Sequence, residues 1–577
     1  MKYLIILISI LCVVSPLSGA EKEITKDVCV YGATPSGILA ALSVKREGKS
    51  VVIVEPGRWV GGMSGAGLKP MQDCPNINIV GGMSHELIKS LGVKGEILDY
   101  SQMTHGEMRK KQRAIMNKMS PKDVREDYLK LLKEKEIKVV FEHRVSFVLK
   151  EGAKITEILF DLAPFDQNGC PPARPEKVNH LSVKAGIFID ASYEGEIMPR
   201  AGVSYSTGRE SKAKYGEKYA GVQKLGNAAP VDPFVIKGDP NSGLLKWVEN
   251  DNKKAVGSGD HYTQAYNYRY YTTTNSKYKV PFEKPANYNP QDYELIGRYV
   301  QYLVDKFNKP EDKKQLAKQL SWIFPGNVNS GEHNYARWDG QLFSQAPLGV
   351  SWQYADGDYF TKNRIWQMHM DYLRGMHAFM SSDSRVPEWH RQYIASLGRD
   401  IRHHPETNGW PHQLYIRLTR RLSGRYTLTE KDVYNTAQPE DIIGLGHYGV
   451  DTYPNRRVWY KKDGQYFTAL EGLMFVGGET GPTKKPYGIS YRSITPKSEE
   501  CTNLLVPVCF SSSYVGYASA RMENVFMVLG ESAGIAACMA LDKATSVQEL
   551  KYSDLKKQLL KYGQVIDPDA KGLHLKK

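Results

Sequence analysis

The stretch Gly32-Ala33-Thr34-Pro35-Ser36-Gly37, with a glutamate at position 55, has the residue types and spacing of a phosphate cradle. Gly32 permits a tight turn, and Gly37 lets a helix pack close to a strand. Free N–H groups at the start of a helix, backed by its dipole, hold a pyrophosphate, which Thr34, Pro35 and Ser36 would border. The Glu55 carboxylate can accept both hydrogens of an adenosine ribose. Thr34 stands where the usual fingerprint has its middle glycine, so the turn alone also fits an unrelated crossover. Gly61-Gly62-Met63-Ser64 follows Arg58-Trp59-Val60. Its paired glycines would let backbone approach an extended ligand; a glycine-rich surface loop is the plainer reading.

Other side chains are candidates for work on a substrate. Tyr266, Tyr268 and Tyr270 alternate with Asn267 and Arg269, so in a strand the tyrosines share one face and Asn267 and Arg269 the other. Arg269 is expected to line a cavity, with a surface salt bridge as the alternative. Arg492 is expected to orient a substrate or a developing anion, and a structural ion pair is equally open. His447-Tyr448 lies in a glycine-rich loop, where a base can work near its own pKa. His412 and His333 are weaker candidates of the same kind. Neither the cysteines nor the histidines have metal-ligand spacing, so no metal or iron–sulfur cluster is expected.

These residues need elements to position them. Val28 to Tyr31 reads as a strand, Ile38 to Glu47 as a helix stopped by Gly48, and Val51 to Val54 as a second strand ending in Glu55. That order is a dinucleotide-binding βαβ unit. Ile187 to Ser192 reads as a further strand ending in a polar turn, and Leu504 to Val506 as another. Asn524 to Leu541 is a helix in which Gly530, Ala533, Gly534 and Ala537 form a stripe of small residues. The stripe suits very close helix packing. Arg521-Met522-Glu523-Asn524 lies at its N-terminal end, where the positive dipole could stabilise electron density on a ligand.

The 577 residues suffice for roughly three or four domains at ~150 residues each. Hydrophobic residues make up 41%, which excludes a disordered chain. No run of about 18 apolar residues was found, so no membrane span is expected. The net charge of +14 reads as a solvated basic surface with acids interleaved, as between Lys110 and Lys138. Attraction to an anionic substrate is the second reading, and no nucleic-acid motif accompanies the charge. Met1-Lys2, the apolar run Tyr3 to Val14 and Ser18-Gly19-Ala20 read as a signal peptide cut after Ala20, hence export to a periplasmic or extracellular site. Cys29, Cys509 and Cys538 sit in apolar runs and read as buried thiols, whereas Cys74 and Cys170 lie in loops and could pair.

The motifs together resemble a family. GATPSG at 32–37, IDASYEGE at 189–196, AGVSYSTGRES at 201–211 and QAYNYRYYT at 264–272 carry the likeness. So do WPHQLYIRLTRRLSGRY at 410–426, DIIGLGHYGVD at 441–451, YGISYRSITPK at 487–497 and ARMENVFMVLGESAGIAA at 520–537. The chain resembles FAD-dependent oxidoreductases with a succinate dehydrogenase or glutathione reductase-like flavin fold, and most of all a secreted bacterial subgroup some of whose members are labelled xanthan lyase. The resemblance implies an α/β architecture: a Rossmann-like flavin domain at about 21–215 and 451–577, with an inserted mixed α+β substrate cap at about 216–450. It implies FAD, with the paired glycines and Ala191 near the dinucleotide and Arg521 to Asn524 at the flavin. Tyr514 stands where the family is expected to have histidine, which puts proton transfer there in doubt. The implied reaction is transfer of a hydride from a small substrate to flavin N5, with Arg492 or Arg269 holding the substrate. A carbohydrate-derived alcohol, a sugar or a uronic acid, is the expected substrate class, since tyrosine outnumbers phenylalanine 36 to 16 and such rings suit amphipathic ligands. The electron acceptor is left open. A polysaccharide lyase and a non-catalytic binding protein are the alternatives.

Overall fold

Apolar runs too short for helices and bounded by turn residues bury best as parallel strands covered on both faces. In the computed structural model Val28 to Tyr31 and Val51 to Val54 do so, all nearly or wholly buried. The structure describes residues 20–93, 105–250, 254–325, 341–476, 485–570 and 573. The expected leader (apart from Ala20) and His333 lie outside the described residues.

Strand β1 (Lys22–Tyr31) leads through a turn into helix α1 (Pro35–Arg46) and strand β2 (Val51–Val54). Helix α2 (Pro121–Glu134) precedes β3 (Lys138–Val140). A meander of β4 (His143–Glu151), β5 (Lys154–Leu162) and β6 (Lys177–Asp190) follows. Much later come helix α3 (Tyr359–Ser382), strand β7 (Leu504–Leu505) and helix α4 (Glu523–Asp542). The seven strands form one sheet in the order β3-β2-β1-β6-β5-β4, with β7 also on β6. β1, β2, β3, β7 and the end of β6 run parallel, while β4, β5 and the start of β6 are antiparallel. β6 can serve both because it is 14 residues long: Lys177 to Lys184 takes β5, and Phe188 and Ile189 take β7. The chain's last quarter therefore returns to the sheet built by its first third.

α4 covers the sheet through α1. A Cβ at Gly530 would stand closer to the Ser36 carbonyl oxygen, and one at Gly534 closer to the Ala40 carbonyl oxygen, than real Cβ atoms come. The stripe of small residues is thus a helix–helix seam at backbone contact. α4 is also long and apolar enough to cross a membrane, contrary to the expectation that no such stretch exists. Its alanines and cysteine add to the hydropathy of its larger apolar residues, while Gly530, Glu531, Ser532 and Gly534 interrupt any continuous apolar run, and it lies buried in the core.

Among the described residues, those between 216 and 450 add no strand to this sheet. They form α3, helices Glu294–Lys306, Lys313–Ile323 and Glu388–Ser396, and short separate sheets. One of these pairs Gly226–Ala229 with Gln465–Glu471, across the boundary expected near 450. The basic stretch of the first third forms helices His105–Met116 and α2, whose lysines and acids interleave on the surface. All six cysteines outside the leader are free and buried, so the pairing left open for Cys74 and Cys170 is not made.

The seam makes a mutational prediction. Gly534→Ala forces a methyl against the α1 backbone and should destabilise the protein by about 2–3 kcal/mol. Gly226→Ala, where a Cβ meets nothing within 4 Å, should change stability by less than about 0.5 kcal/mol. Urea unfolding of the two variants measures both, and equal stability would show that the seam tolerates separation.

Candidate functional site

The turn between β1 and α1 is pinned from three sides. Gly32 has φ of +98°, and a Cβ there would lie 2.9 Å from the Ser192 nitrogen. Thr34 caps α1: its hydroxyl accepts from the Gly37 N–H (3.2 Å) and donates to the Ala191 carbonyl (2.8 Å). A threonine in the middle glycine's place thus ties the turn to the end of β6. Pro35 occupies the first turn, where its missing N–H costs nothing. Ser36 is fully buried, and its hydroxyl oxygen has no hydrogen-bond partner.

Glu55 ends β2 inside a cavity whose walls include Gly32, Thr34, Trp59, Arg144, Trp366 and His412. Its two oxygens accept from the Ala33 N–H (2.5 Å) and the Gly57 N–H (2.7 Å). Burial nevertheless pushes its pKa up to about 7. Two backbone donors leave a carboxylate with further acceptor sites. The Trp59 ring lies tilted against His412, their centroids 5.3 Å apart, and neither ring nitrogen of His412 has a partner. Burial and the nearby Arg125 hold His412 neutral, far below the usual histidine range. Arg144 sits in the same wall, paired at 2.9 Å with Glu196, which also bonds Lys362.

The paired glycines meet the start of α4. Gly61 and Gly62 both have positive φ, and a Cβ on Gly62 would lie 2.5 Å from the Tyr193 hydroxyl oxygen. That hydroxyl accepts from the Met63 N–H (2.9 Å) and donates to Glu523 (2.8 Å). Ser64 closes the turn by bonding the Gly61 carbonyl. Burial raises the Glu523 pKa to about 8, and its second oxygen is buried without a partner, as is the Asn524 side-chain oxygen. Met522 caps α4 without a side-chain bond. Just before it, Arg521 donates to the Tyr415 hydroxyl (2.8 Å), to Gln264 (3.2 Å) and to the Asp451 carbonyl (3.0 Å).

The substrate-side candidates separate. Arg269 is buried, 5.1 Å from the Tyr415 ring, and the backbone of Gly67 packs against its carbonyl. Tyr266, Tyr268 and Tyr270 point the other way, into an aromatic core with Tyr354, Trp366 and Trp410. His447 and Tyr448 are buried after strand Ile442–Gly446, and the Tyr448 hydroxyl reaches Asp451 at 3.4 Å. Arg492 is not among them. It forms a bidentate pair with Asp441 (3.1 Å for each bond), and its side chain is 39% exposed. The ion-pair reading therefore holds for Arg492, because Asp441 comes within reach only when Ile442–Gly446 pairs with Tyr487–Ser490. Tyr514 is buried with its hydroxyl on Asn455 and bonds none of the other candidates.

Residues 27–559 match the family of FAD dependent oxidoreductases. The chain belongs to that family. No curated protein matches. Among solved structures, a geranylgeranyl bacteriochlorophyll reductase-like protein of Thermoplasma acidophilum is 18% identical over 32% of this chain and 43% of its own, at a TM-score of 0.19. A 3-ketosteroid-Δ4-(5α)-dehydrogenase of Rhodococcus jostii is 11% identical over 31% and 48%, at 0.20. THI4 of Thermovibrio ammonificans is 16% identical over 32% and 64%, at 0.21. The chain thus spans less than two thirds of each, and likeness at this level carries no argument about activity.

The cofactor of the family is FAD, and the residues fit it. Glu55 retains acceptor sites beside the turn, while the Ser36 hydroxyl, the His412 ring and Glu523 are buried polar groups waiting for a partner. Sequence reasoning passed over Tyr193, Arg144, Tyr415 and Arg417. Three lie in motifs already singled out (Tyr193 in IDASYEGE, Tyr415 and Arg417 in WPHQLYIRLTRRLSGRY), but nothing local says which of their side chains turn inward.

Glu523 gives a pH prediction. Its pKa in the folded state lies above that of an exposed glutamate, so the native state holds a proton that the unfolded chain releases first. Stability is therefore full below about pH 4.5 and falls as pH rises towards 8, by up to about 1.4 kcal/mol per unit for this group. Glu523→Gln should flatten that slope by about one proton. Urea unfolding of the FAD-free protein at pH 5, 6, 7 and 8 checks it, and an unchanged slope would mean that Glu523 is not the buried acid.

Proposed function

We propose that this protein is an exported FAD-dependent oxidoreductase that takes a hydride from a small carbohydrate-derived substrate. The observation that carries the redox reading is the continuous line of turn, Glu55, paired glycines and Tyr193–Glu523, which suits an extended dinucleotide along a chain that belongs to this family. The turn and Glu55 hold the adenosine end, and the glycine pair admits the rest. Bound FAD supplies the acceptor for the hydride.

The chain's own groups do the remaining work. Arg269 holds a polar group of the substrate, and His447 takes the proton of its hydroxyl. Glu523 keeps its proton at neutral pH, so no carboxylate charge opposes electron density near the start of α4. The ring of Tyr415, set among Arg269, Arg417 and Arg521, supports an amphipathic, sugar-like ligand. The leader-like first twenty residues support export. No observation favours the lyase alternative.

The purified protein should be yellow, and Glu55→Ala should bind FAD on the order of 10-fold or more weakly, about 1–3 kcal/mol. Anaerobic mixing of the holo-protein with sugars, uronic acids and amines should bleach the flavin with a saccharide. Bleaching by amines alone would overturn the carbohydrate reading, and a colourless protein with no FAD affinity would overturn the redox one.

A further inference from the structure

The extended segments at 264–270 and 410–418 lie side by side, joined by the Asn267–Tyr415 bridge. They bring Arg269 and Arg417 to the ring of Tyr415, at 5.1 and 4.2 Å, and Arg521 donates to its hydroxyl from the start of α4. Arg417 is almost fully buried. Its Nε donates to the Ala265 carbonyl (2.8 Å) and one terminal nitrogen to the Asn267 side-chain oxygen (3.0 Å). Nη1 has no partner, and among the described residues no carboxylate pairs with this guanidinium. The amide nitrogens of Gln264, whose oxygen Arg521 bonds, and of Asn267, whose oxygen Arg417 bonds, are buried and also lack acceptors.

This is unlike the fold's usual treatment of buried arginine. Arg209 pairs with Asp260 and Glu471, Arg421 with Glu210 and Arg456 with Glu471. Arg457 has no carboxylate among the described residues, but a main-chain carbonyl occupies each of its terminal nitrogens, and Arg399 in the cap is the other buried arginine held by a carbonyl with its Nη1 unpartnered. Burial is the first cause of a fall in the Arg417 pKa to about 9, and Arg269 and Arg521 lower it further. A buried cation without a counter-charge costs several kcal/mol, and three orphan donors add to that. An anion brought from outside relieves both costs.

We propose that Arg417, with the Gln264 and Asn267 amides and the flanking Arg521, forms a subsite for the carboxylate of the substrate. The planar guanidinium fork suits a carboxylate, and the two amides supply donors for its remaining lone pairs. The segment holding Arg417 begins at His412 and Gln413 in the wall of the Glu55 cavity, and Arg521 leads directly into Glu523. The subsite is thus joined to the site read above through the chain on both sides, and rests on that reading for its link to a redox substrate. Among saccharides it selects uronic or aldonic acids over neutral sugars.

The test is calorimetric titration of the FAD-loaded protein with glucuronate, glucuronamide, inorganic phosphate and sulfate. Glucuronate should bind at least tenfold more tightly than its neutral amide, and Arg417→Gln should abolish that preference while flavin occupancy and absorbance stay unchanged. Arg417→Lys, which keeps the charge but loses the fork, should retain part of it. If Arg417→Gln does not fold, the acid-to-amide ratio of the unaltered protein still decides. Equal binding of acid and amide, undiminished glucuronate affinity in Arg417→Gln, binding of phosphate or sulfate alone, or no binding at all would each overturn the proposal. Glucuronate binding by a protein that takes up no FAD would uphold the subsite and refute the redox reading, so the two fail separately.

Discussion

The contact of α1 with α4 at backbone distance is the constraint on which the rest depends. With no side chain at Gly530 or Gly534, the Ser36 and Ala40 carbonyls seat directly on α4. This aligns two helix N-termini that are almost 500 residues apart in the chain. One presents the Thr34–Pro35–Ser36 turn and the other presents Glu523 and Asn524. Packing at interior density leaves no slack for either helix to slide. The β6–β7 pairing at Phe188 and Ile189 locks the same two parts of the chain at sheet level.

Around this frame the fold departs from its own habits at the site. Most buried arginines are neutralised by carboxylates or filled by carbonyls, and most buried polar groups find partners. Along the Glu55 cavity and around Tyr415 they do not. Glu55 and Glu523 are carboxyl groups raised to about 7 and about 8 by burial, and Arg417 is a cation without a counter-charge. Each lowers the stability of the ligand-free chain. Their concentration along one path, from the start of α1 to the start of α4, is what a site built for a long polar cofactor and an acidic substrate requires.

Much of the fold was legible because its signals are local. The strand at Val28, the glycine turn, the helix and Glu55 follow one another within 30 residues, and the small-residue stripe at 530–537 announces close packing wherever its partner lies. The site was less legible. For Arg492 a substrate-orienting role and an ion pair were equally open, and only the fold brings up Asp441, 51 residues earlier, to hold it at the surface. Cys74 and Cys170 looked able to pair and do not. Tyr193 and Arg417 stood in noticed motifs, but their roles come from neighbours in other segments: Met63 and Glu523 for the tyrosine, Asn267 and Tyr415 for the arginine.

The sequence by itself determined the nucleotide-binding unit, the family and the alternation that sends Tyr266, Tyr268 and Tyr270 one way and Asn267 and Arg269 the other. These follow from periodicity and from glycine's conformational freedom, which act over a few residues. Only the tertiary structure decided which charges meet. Charge compensation depends on distances of about 3–4 Å between residues that the chain brings from opposite ends. Arg421 finds the carboxylate of Glu210, while Arg417, four residues earlier, finds as acceptors only the Ala265 carbonyl and the Asn267 amide oxygen among the described residues.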